Sequence, residues 1–258
     1  MMTPANDHNE TTIKLNPALD TAALKKTFAE GGRIHIPNIL TEASAKRVYQ
    51  CLTNEVDWHL VFNEGEKTHT LFPEQVKALT EDHKAKIRQI VLSQAKDQFQ
   101  YIYYDYNIYD YYLNDKNMDH FLHRFHEFVN SEKFLSFIRA VSGFDTITFA
   151  DSQAMAFGPG HFLNMHHDEA EGKNRKMAMV FNFTPKWKLD WGGVLQFPGK
   201  DGNVDLGLVP AFNALNMLAI PQDHAVSYVS PFAPEIRYTI VCFAREHDDA
   251  ELFKSMRA

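Results

Sequence analysis

The chain is 258 residues long, 45% hydrophobic and 13% aromatic, which is ample for a sizeable core and excludes a disordered chain. A formal net charge of −7 and a pI near 6.0 give no general attraction to nucleic-acid phosphates or anionic membranes, so neither partner is expected. Two cysteines without paired spacing, Cys51 and Cys242, exclude a disulfide framework or zinc knuckle and fit buried reduced thiols.

Residues 1–12, MMTPANDHNETT, lack the basic start and apolar stretch of a secretory signal. They read as a flexible lead into a single domain over 13–258, and the cytoplasm is the expected address. No run approaches the roughly 18 apolar residues of a membrane span. Residues 20–30 read as a helix capped by Asp20 and closed by Gly31-Gly32. A strand follows over 33–36, ended by Pro37. The segment 41–55 starts with a Thr cap and spaces Val48, Leu52 and Val56 for a helix. A longer helix is predicted over 81–97, with Ile87, Ile90, Val91 and Gln94 on one side.

The run FQYIYYDYNIYDYYL carries seven tyrosines between Tyr101 and Tyr112. It reads either as a strand plus turn covering the core or as a wall or lid over a substrate, since tyrosine offers an apolar body and a polar tip. Helices over 118–130 and 131–142 follow. His120, His123 and His126 have helical spacing that imitates a metal site, yet on a charged helix they read as solvent-facing. Beyond Gly143 the pattern changes to short strands punctuated by Gly, Pro and Asn, at 149–157, 162–168, 177–184, 194–197, 215–220, 225–229 and 238–243. Gly158-Pro159-Gly160 reads as a connecting turn. Trp187 and Trp191 read as packing around the loop before Gly192-Gly193. A helical support over about 13–145 and a core over about 146–245 predict a mainly β fold with flanking helices, a double-sheet jelly roll.

His166-His167-Asp168 lies within this second half. Alternation along a strand puts His166 and Asp168 on one face and His167 on the other. His224, after the apolar run 214–220, could complete a set of two histidines and one carboxylate. That set leaves half of an octahedral Fe(II) open. Arg237 heads the run RYTIVCF, where a guanidinium could grip a carboxylate through paired hydrogen bonds. A second copy, His247-Asp248-Asp249, has no histidine downstream and reads as solvated surface.

Residues 149–245, and within them HHDEAEGKNRKMAMVFNFTPKWKLDWGGVLQF, resemble the catalytic core of the iron(II) and 2-oxoglutarate dependent dioxygenases. The likeness is to the prolyl 4-hydroxylase-like group and its branch of ribosomal-protein prolyl hydroxylases and bacterial relatives. It rests on the acidic stretch after Asp168, Pro185-x-Trp187 and Gly192-Gly193. The resemblance implies a double-stranded β-helix in which His166, Asp168 and His224 bind Fe(II) and Arg237 pairs with the distal carboxylate of 2-oxoglutarate. Thr239, on the same strand face, would add a hydroxyl. The group often carries a cosubstrate-binding tyrosine where this chain has Asn182, whose shorter amide reads equally as a cosubstrate contact or as a packed strand residue. Related halogenases place a small residue at the position of Asp168, so the carboxylate implies hydroxylation. Fe(II), 2-oxoglutarate and O2 are the implied cofactors, with ascorbate in support, and succinate and CO2 the products. The implied substrate is a prolyl residue of a protein. A free amino acid or peptide natural product is the other candidate, and a metal-binding double-sheet module without turnover is the reading from another class.

Overall fold

The computed structural model describes residues 12–248. Residues 1–11 of the lead expected to be flexible, and Asp249 of the second His-x-Asp, lie outside the described residues. Helix α1 (Thr21–Gly31) begins where Asp20 Oδ1 accepts the Ala22 and Ala23 amides, and closes on Gly32 at φ 64°. Strand β1 (Arg33–Pro37) and helix α2 (Glu42–Asn54), capped by Thr41, follow. A hairpin that apolar patterning does not foretell comes next, β2 (His59–Glu64) against β3 (Lys67–Leu71). Its inner strand is buried at almost every residue and its outer strand is largely exposed, so neither alternates cleanly.

Helices α3 (Pro73–Lys77) and α4 (Glu81–Gln94) precede β4 (Tyr101–Tyr106). The tyrosine run is strand only in its first half. Asn107 accepts the Asp110 amide and starts helix α5 (Ile108–Leu113) where a turn was expected. Helices α6 (Leu122–Val129) and α7 (Glu132–Ser142) complete the support. His123 and His126, expected in solvent, are instead buried. Leu122, Phe125 and Val129 turn α6 into the core, and the two histidines lie against Tyr112 at ring distances of 5.6 and 4.7 Å. His126 Nδ1 hydrogen-bonds Ser152 Oγ at 2.9 Å, and burial pushes its pKa down to about 4.

The remaining strands are β5 (Phe149–Ala150), β6 (Gln153–Phe157), β7 (Phe162–His166), β8 (Arg175–Asn182), β9 (Leu195–Pro198), β10 (Val204–Leu208), β11 (Ala214–Ala219), β12 (His224–Val226) and β13 (Arg237–Arg245). The single strand expected over 149–157 breaks at Asp151, whose carboxylate accepts the Phe243 amide and pairs with Arg245. Neighbours run antiparallel in the order β1-β11-β8-β13-β6-β4-β7-β12-β9-β10, with β2 added to β4. The sheet curls into a jelly roll, and an ion pair between Arg33 on β1 and Asp205 on β10 joins the ends of the path. Residue 145 is no boundary in this sheet. Strand β4, from the half expected to be helical support, pairs with both β6 and β7.

β8 and β13 are packed on both faces, which explains their continuous apolar runs. Met177, Met179 and Phe181 on β8, with Ile240 and Cys242 on β13, face the helices and join Phe125, Phe134 and Ile138 in the main core. The alternate residues, Val180 on β8 and Arg237, Thr239 and Val241 on β13, line the interior of the roll. Both cysteines are buried free thiols. Among the described residues no helix is long and apolar enough to cross a membrane.

Gly192 is required by close approach. A Cβ there would sit 2.0 Å from the Tyr228 carbonyl oxygen, and its φ of 70° with ψ of −148° is a conformation open to glycine almost alone. Gly192→Ala should therefore cost at least about 2 kcal/mol, the scale of such backbone strain. Urea denaturation measures it, and a midpoint equal to that of the parent protein would contradict the reading.

Candidate active site

β7 ends at His166, and the chain then turns so that Asp168 adopts φ 62°, a left-handed conformation that aspartate tolerates better than most residues. Strand alternation was expected to align His166 with Asp168. The turn achieves this instead, with His167 left exposed. Arg175, at the start of β8, donates from Nη1 to the Asp168 carbonyl at 3.0 Å and stacks its guanidinium 3.6 Å from the Phe243 ring centre. The β7–β12 ladder sets His224 directly opposite His166, with their ring centres 4.2 Å apart.

The three side chains converge. His166 Nε2 lies 3.3 Å from one Asp168 oxygen and His224 Nε2 lies 3.2 Å from the other. Each imidazole spends its Nδ1 on a backbone carbonyl two residues back, Asn164 at 2.8 Å and Gln222 at 2.7 Å. Rings tied this way carry hydrogen on Nδ1 and aim the Nε2 lone pair inward, the arrangement of metal-binding histidines. The potential ligand atoms all lie within 4.8 Å of one another. Two nitrogens and a carboxylate on one side of a point suit a divalent transition metal with open positions. Burial alone would raise the Asp168 pKa, but hydrogen bonds and charge from both imidazoles outweigh it and hold the carboxyl well below its usual range. Burial likewise opposes charge on His224, and the Asp168 carboxylate reverses that into a net upward shift.

Arg237 opens β13 and is almost fully buried. Among the described residues its Nε and Nη1 have no hydrogen-bond partner, and its guanidinium lies 5.1 Å from the Phe157 ring centre. Burial pushes its pKa down to about 10, so it stays a cation at neutral pH. An unpaired buried cation is costly, and a bound anion removes that cost. Arg237 and the His166, Asp168, His224 cluster line one cavity of about 220 Å³.

Thr239 lines the same cavity, its hydroxyl donating to the Met155 carbonyl at 3.4 Å. Asn182 lies opposite Thr239 in the β8–β13 ladder, but its amide donates to the Val180 and Ala214 carbonyls at 3.1 and 3.5 Å and is absent from the cavity wall. The second His-x-Asp stays apart, with His247 and Asp248 exposed. Wall residues that sequence reasoning missed include Gln153, Phe157 and Arg175. For Tyr101 and Tyr103 the period-2 spacing within the tyrosine run was the available signal. Gln153 and Arg175 carried none.

Residues 152–245 match the family model described as the 2OG-Fe(II) oxygenase superfamily. No curated protein matches the chain. Among solved structures it is similar to an oxidoreductase of the 2OG-Fe(II) oxygenase family from Burkholderia pseudomallei, at 13% identity over 91% of this chain and 94% of that one, with a TM-score of 0.60. A prolyl hydroxylase from Trichoplax adhaerens, in complex with a hypoxia inducible factor peptide fragment, aligns at 16% identity over 90% and 91%, with a TM-score of 0.58. A Pseudomonas putida prolyl-4-hydroxylase aligns at 13% identity over 88% and 99%, with a TM-score of 0.56. Likeness at these identities shows the shared jelly roll.

Asp105, on β4 beneath the cavity wall, is buried, and burial raises its pKa from 3.8 to about 6 against the opposing bonds from Gln153 and the Tyr106 backbone. A folded-state pKa above the unfolded one means that its contribution to stability is fully present below about pH 4 and is lost as pH rises through about 6. Relative to Asp105→Asn, which cannot ionise, the parent protein should therefore lose on the order of 2 kcal/mol across that window. Denaturation midpoints measured at a series of pH values test this, and parallel profiles for the two proteins would contradict it.

Proposed function

We propose that this protein, whose residues 152–245 match the 2OG-Fe(II) oxygenase family model, hydroxylates a C–H bond of its substrate. His166, Asp168 and His224 would hold iron(II), and Arg237 the far carboxylate of 2-oxoglutarate. The observation that carries the reading is a buried guanidinium, two of whose nitrogens have no hydrogen-bond partner among the described residues, sharing one cavity with three converged ligand atoms. A metal-binding module without turnover has no use for that cation. The reaction consumes 2-oxoglutarate and O2, releases succinate and CO2, and leaves one oxygen atom on the substrate.

Bound iron(II) supplies the activation of dioxygen that side chains alone lack. The chain's own contribution is placement. The Asn164 and Gln222 carbonyls fix both imidazoles, and Arg175 fixes the backbone of Asp168. Arg237 orients the cosubstrate from the closed end through paired charge-assisted hydrogen bonds, with Thr239 as a supporting contact. Asn182 is assigned to packing, because its amide is committed to backbone. Apolar walls from Met155, Phe157, Leu163 and Val226 keep water from the reacting atoms.

For the substrate we favour a prolyl residue of a protein or peptide. The substrate would approach over the rim, where Phe99 and Met165 are about half exposed and Phe99 packs 5.7 Å from the His166 ring. An apolar, aromatic rim beside the metal suits a pyrrolidine ring. Two of the similar structures are prolyl hydroxylases. A free amino acid is the second reading, favoured by the Arg175 guanidinium in the cavity wall, whose buried Nε lacks a partner and could meet a carboxylate.

Asp168→Gly keeps the left-handed turn and removes the carboxylate, so it should abolish iron(II) binding in calorimetry while leaving circular dichroism unchanged. His247→Ala should be silent in both. Wild-type binding by the glycine variant would refute the ligand assignment. With iron(II), ascorbate and O2, the parent protein should convert 2-oxoglutarate to succinate. Arg237→Met should raise the 2-oxoglutarate KM by tenfold or more, since a charged hydrogen-bonded pair is worth about 1.5–3 kcal/mol. An unchanged KM would place the carboxylate elsewhere. Mass spectrometry of peptides and amino acids for one added oxygen atom decides between the two substrate classes.

A further inference from the structure

The interior face of β13 runs on past the cavity that holds the converged ligand atoms. Arg237, Thr239, Val241 and Phe243 line that cavity, and Phe243 and Arg245 line a second one of about 170 Å³. Gln153 and Arg175 also belong to both walls, so the two cavities meet at Gln153, Arg175 and Phe243. The second wall carries three cations, Lys173, Arg175 and Arg245, against two carboxylates, Asp110 and Asp151.

These charges are answered unevenly. The β8–β13 ladder sets Arg175 opposite Arg245, and like charges placed so repel unless each finds a counterion. Asp151 pairs with Arg245 through one oxygen and accepts the Phe243 amide at 2.8 Å through the other. Asp110 accepts the Asn114 side-chain amide at 3.2 Å. Among the described residues no carboxylate pairs with Arg175, and its Nε is buried without a partner. Its guanidinium is held instead by the Phe243 ring, 3.6 Å from the ring centre, and by the hydrogen bond from Nη1 to the Asp168 carbonyl at 3.0 Å. A guanidinium fixed in place with donors to spare is a receptor for a carboxylate.

Position separates this cation from Arg237. Phe243 lies six residues beyond Arg237 on β13, roughly 20 Å along an extended strand. Each guanidinium lies against a ring at its own level, Phe157 opposite Arg237 in the β6–β13 ladder and Phe243 for Arg175. A five-carbon diacid held by Arg237 does not reach Arg175. The bond to the Asp168 backbone keeps anything bound at Arg175 within a small molecule's length of the three ligand atoms.

We propose that the junction of the two cavities at Arg175 is a substrate subsite, and that it takes an amino acid by its α-carboxylate, either free or at the C-terminus of a peptide. This rests on the oxygenase reading, in which Arg237 is kept for the cosubstrate. The short reach from Arg175 to the ligand atoms selects a carboxylate borne close to the reacting C–H bond. An internal peptide residue presents a neutral amide there and leaves the guanidinium without a counterion. The second cavity gives the rest of the molecule room on the side away from Arg237.

Calorimetric titration of anaerobic protein saturated with iron(II) and 2-oxoglutarate tests the proposal without relying on turnover. The probes are L-proline, N-acetyl-L-proline and N-acetyl-L-proline amide, the last of which lacks the carboxylate. The parent protein should bind at least one of the two acids about tenfold more tightly than the amide, the scale for one hydrogen bond to a charged group. L-proline as the tighter acid identifies a free amino acid as the source of the carboxylate, and N-acetyl-L-proline identifies a peptide C-terminus. Arg175→Met should bring that acid down to the affinity of the amide. Arg175→Gln, which keeps a donor for the Asp168 carbonyl, should do the same. The ratio of acid to amide is read within each variant, so a weaker hold on iron, which affects both probes alike, does not imitate the result. Binding of none of the probes, equal binding of acid and amide by the parent, or a preference that survives in either variant would overturn the proposal and spare the cosubstrate reading. A parent protein that binds iron(II) but no 2-oxoglutarate would overturn the reading on which the proposal rests.

Discussion

A strand packed on both faces has nowhere to put a charge, and β13 carries one at its first residue. Helix-facing positions of β13 belong to the main core, and its other face closes the interior of the roll. Arg237 is consequently held away from water with two guanidinium nitrogens unmatched by protein. Such a group is tolerable where an anion completes it. The rest of the site answers to that constraint. The tight Gly192-Gly193 turn lets Trp187 and Val229 close around the arginine stem, and Phe157 supplies an aromatic floor. An acid drawn to the closed end has its other end turned toward the two histidines.

The parts of this arrangement legible in the sequence were those set by local rules. His166, Asp168, His224 and Arg237 were readable because their order and residue types are unusual together. Helix ends were readable because Asp20 and Thr41 cap by side-chain hydrogen bonds that depend on few neighbours. What escaped depends on tertiary context. The β2–β3 hairpin lacks alternation because β2 is covered on both sides. His123 and His126 looked exposed beside charged neighbours, yet the tyrosines of α5 cover them. Alignment of His166 with Asp168 was foreseen through strand alternation and is delivered by a left-handed turn, a backbone state that no residue pattern announced.

The tyrosine run shows how one segment serves two purposes. Tyr101 and Tyr103 contribute to the cavity wall, whereas Tyr106, on the opposite face, stacks on Tyr111 at 4.6 Å and joins the main core. The run is therefore core cover at Tyr106 and cavity wall at Tyr101 and Tyr103, on one and the same strand. The period of two divides them.

The roll is closed by side chains where its first and last strands meet. Arg33 reaches from β1 to Asp205 on β10 and lays its guanidinium 4.8 Å from the Phe197 ring centre. Backbone hydrogen bonding does not cross this seam in the path of paired strands. Two edge strands thus meet under a charged clasp, and a charged rim discourages association with a second sheet. The clasp weakens in high salt, being partly exposed to solvent. Ionic strength would accordingly govern how firmly this seam holds, one aromatic ring away from His224, whose ring centre lies 6.1 Å from that of Phe197.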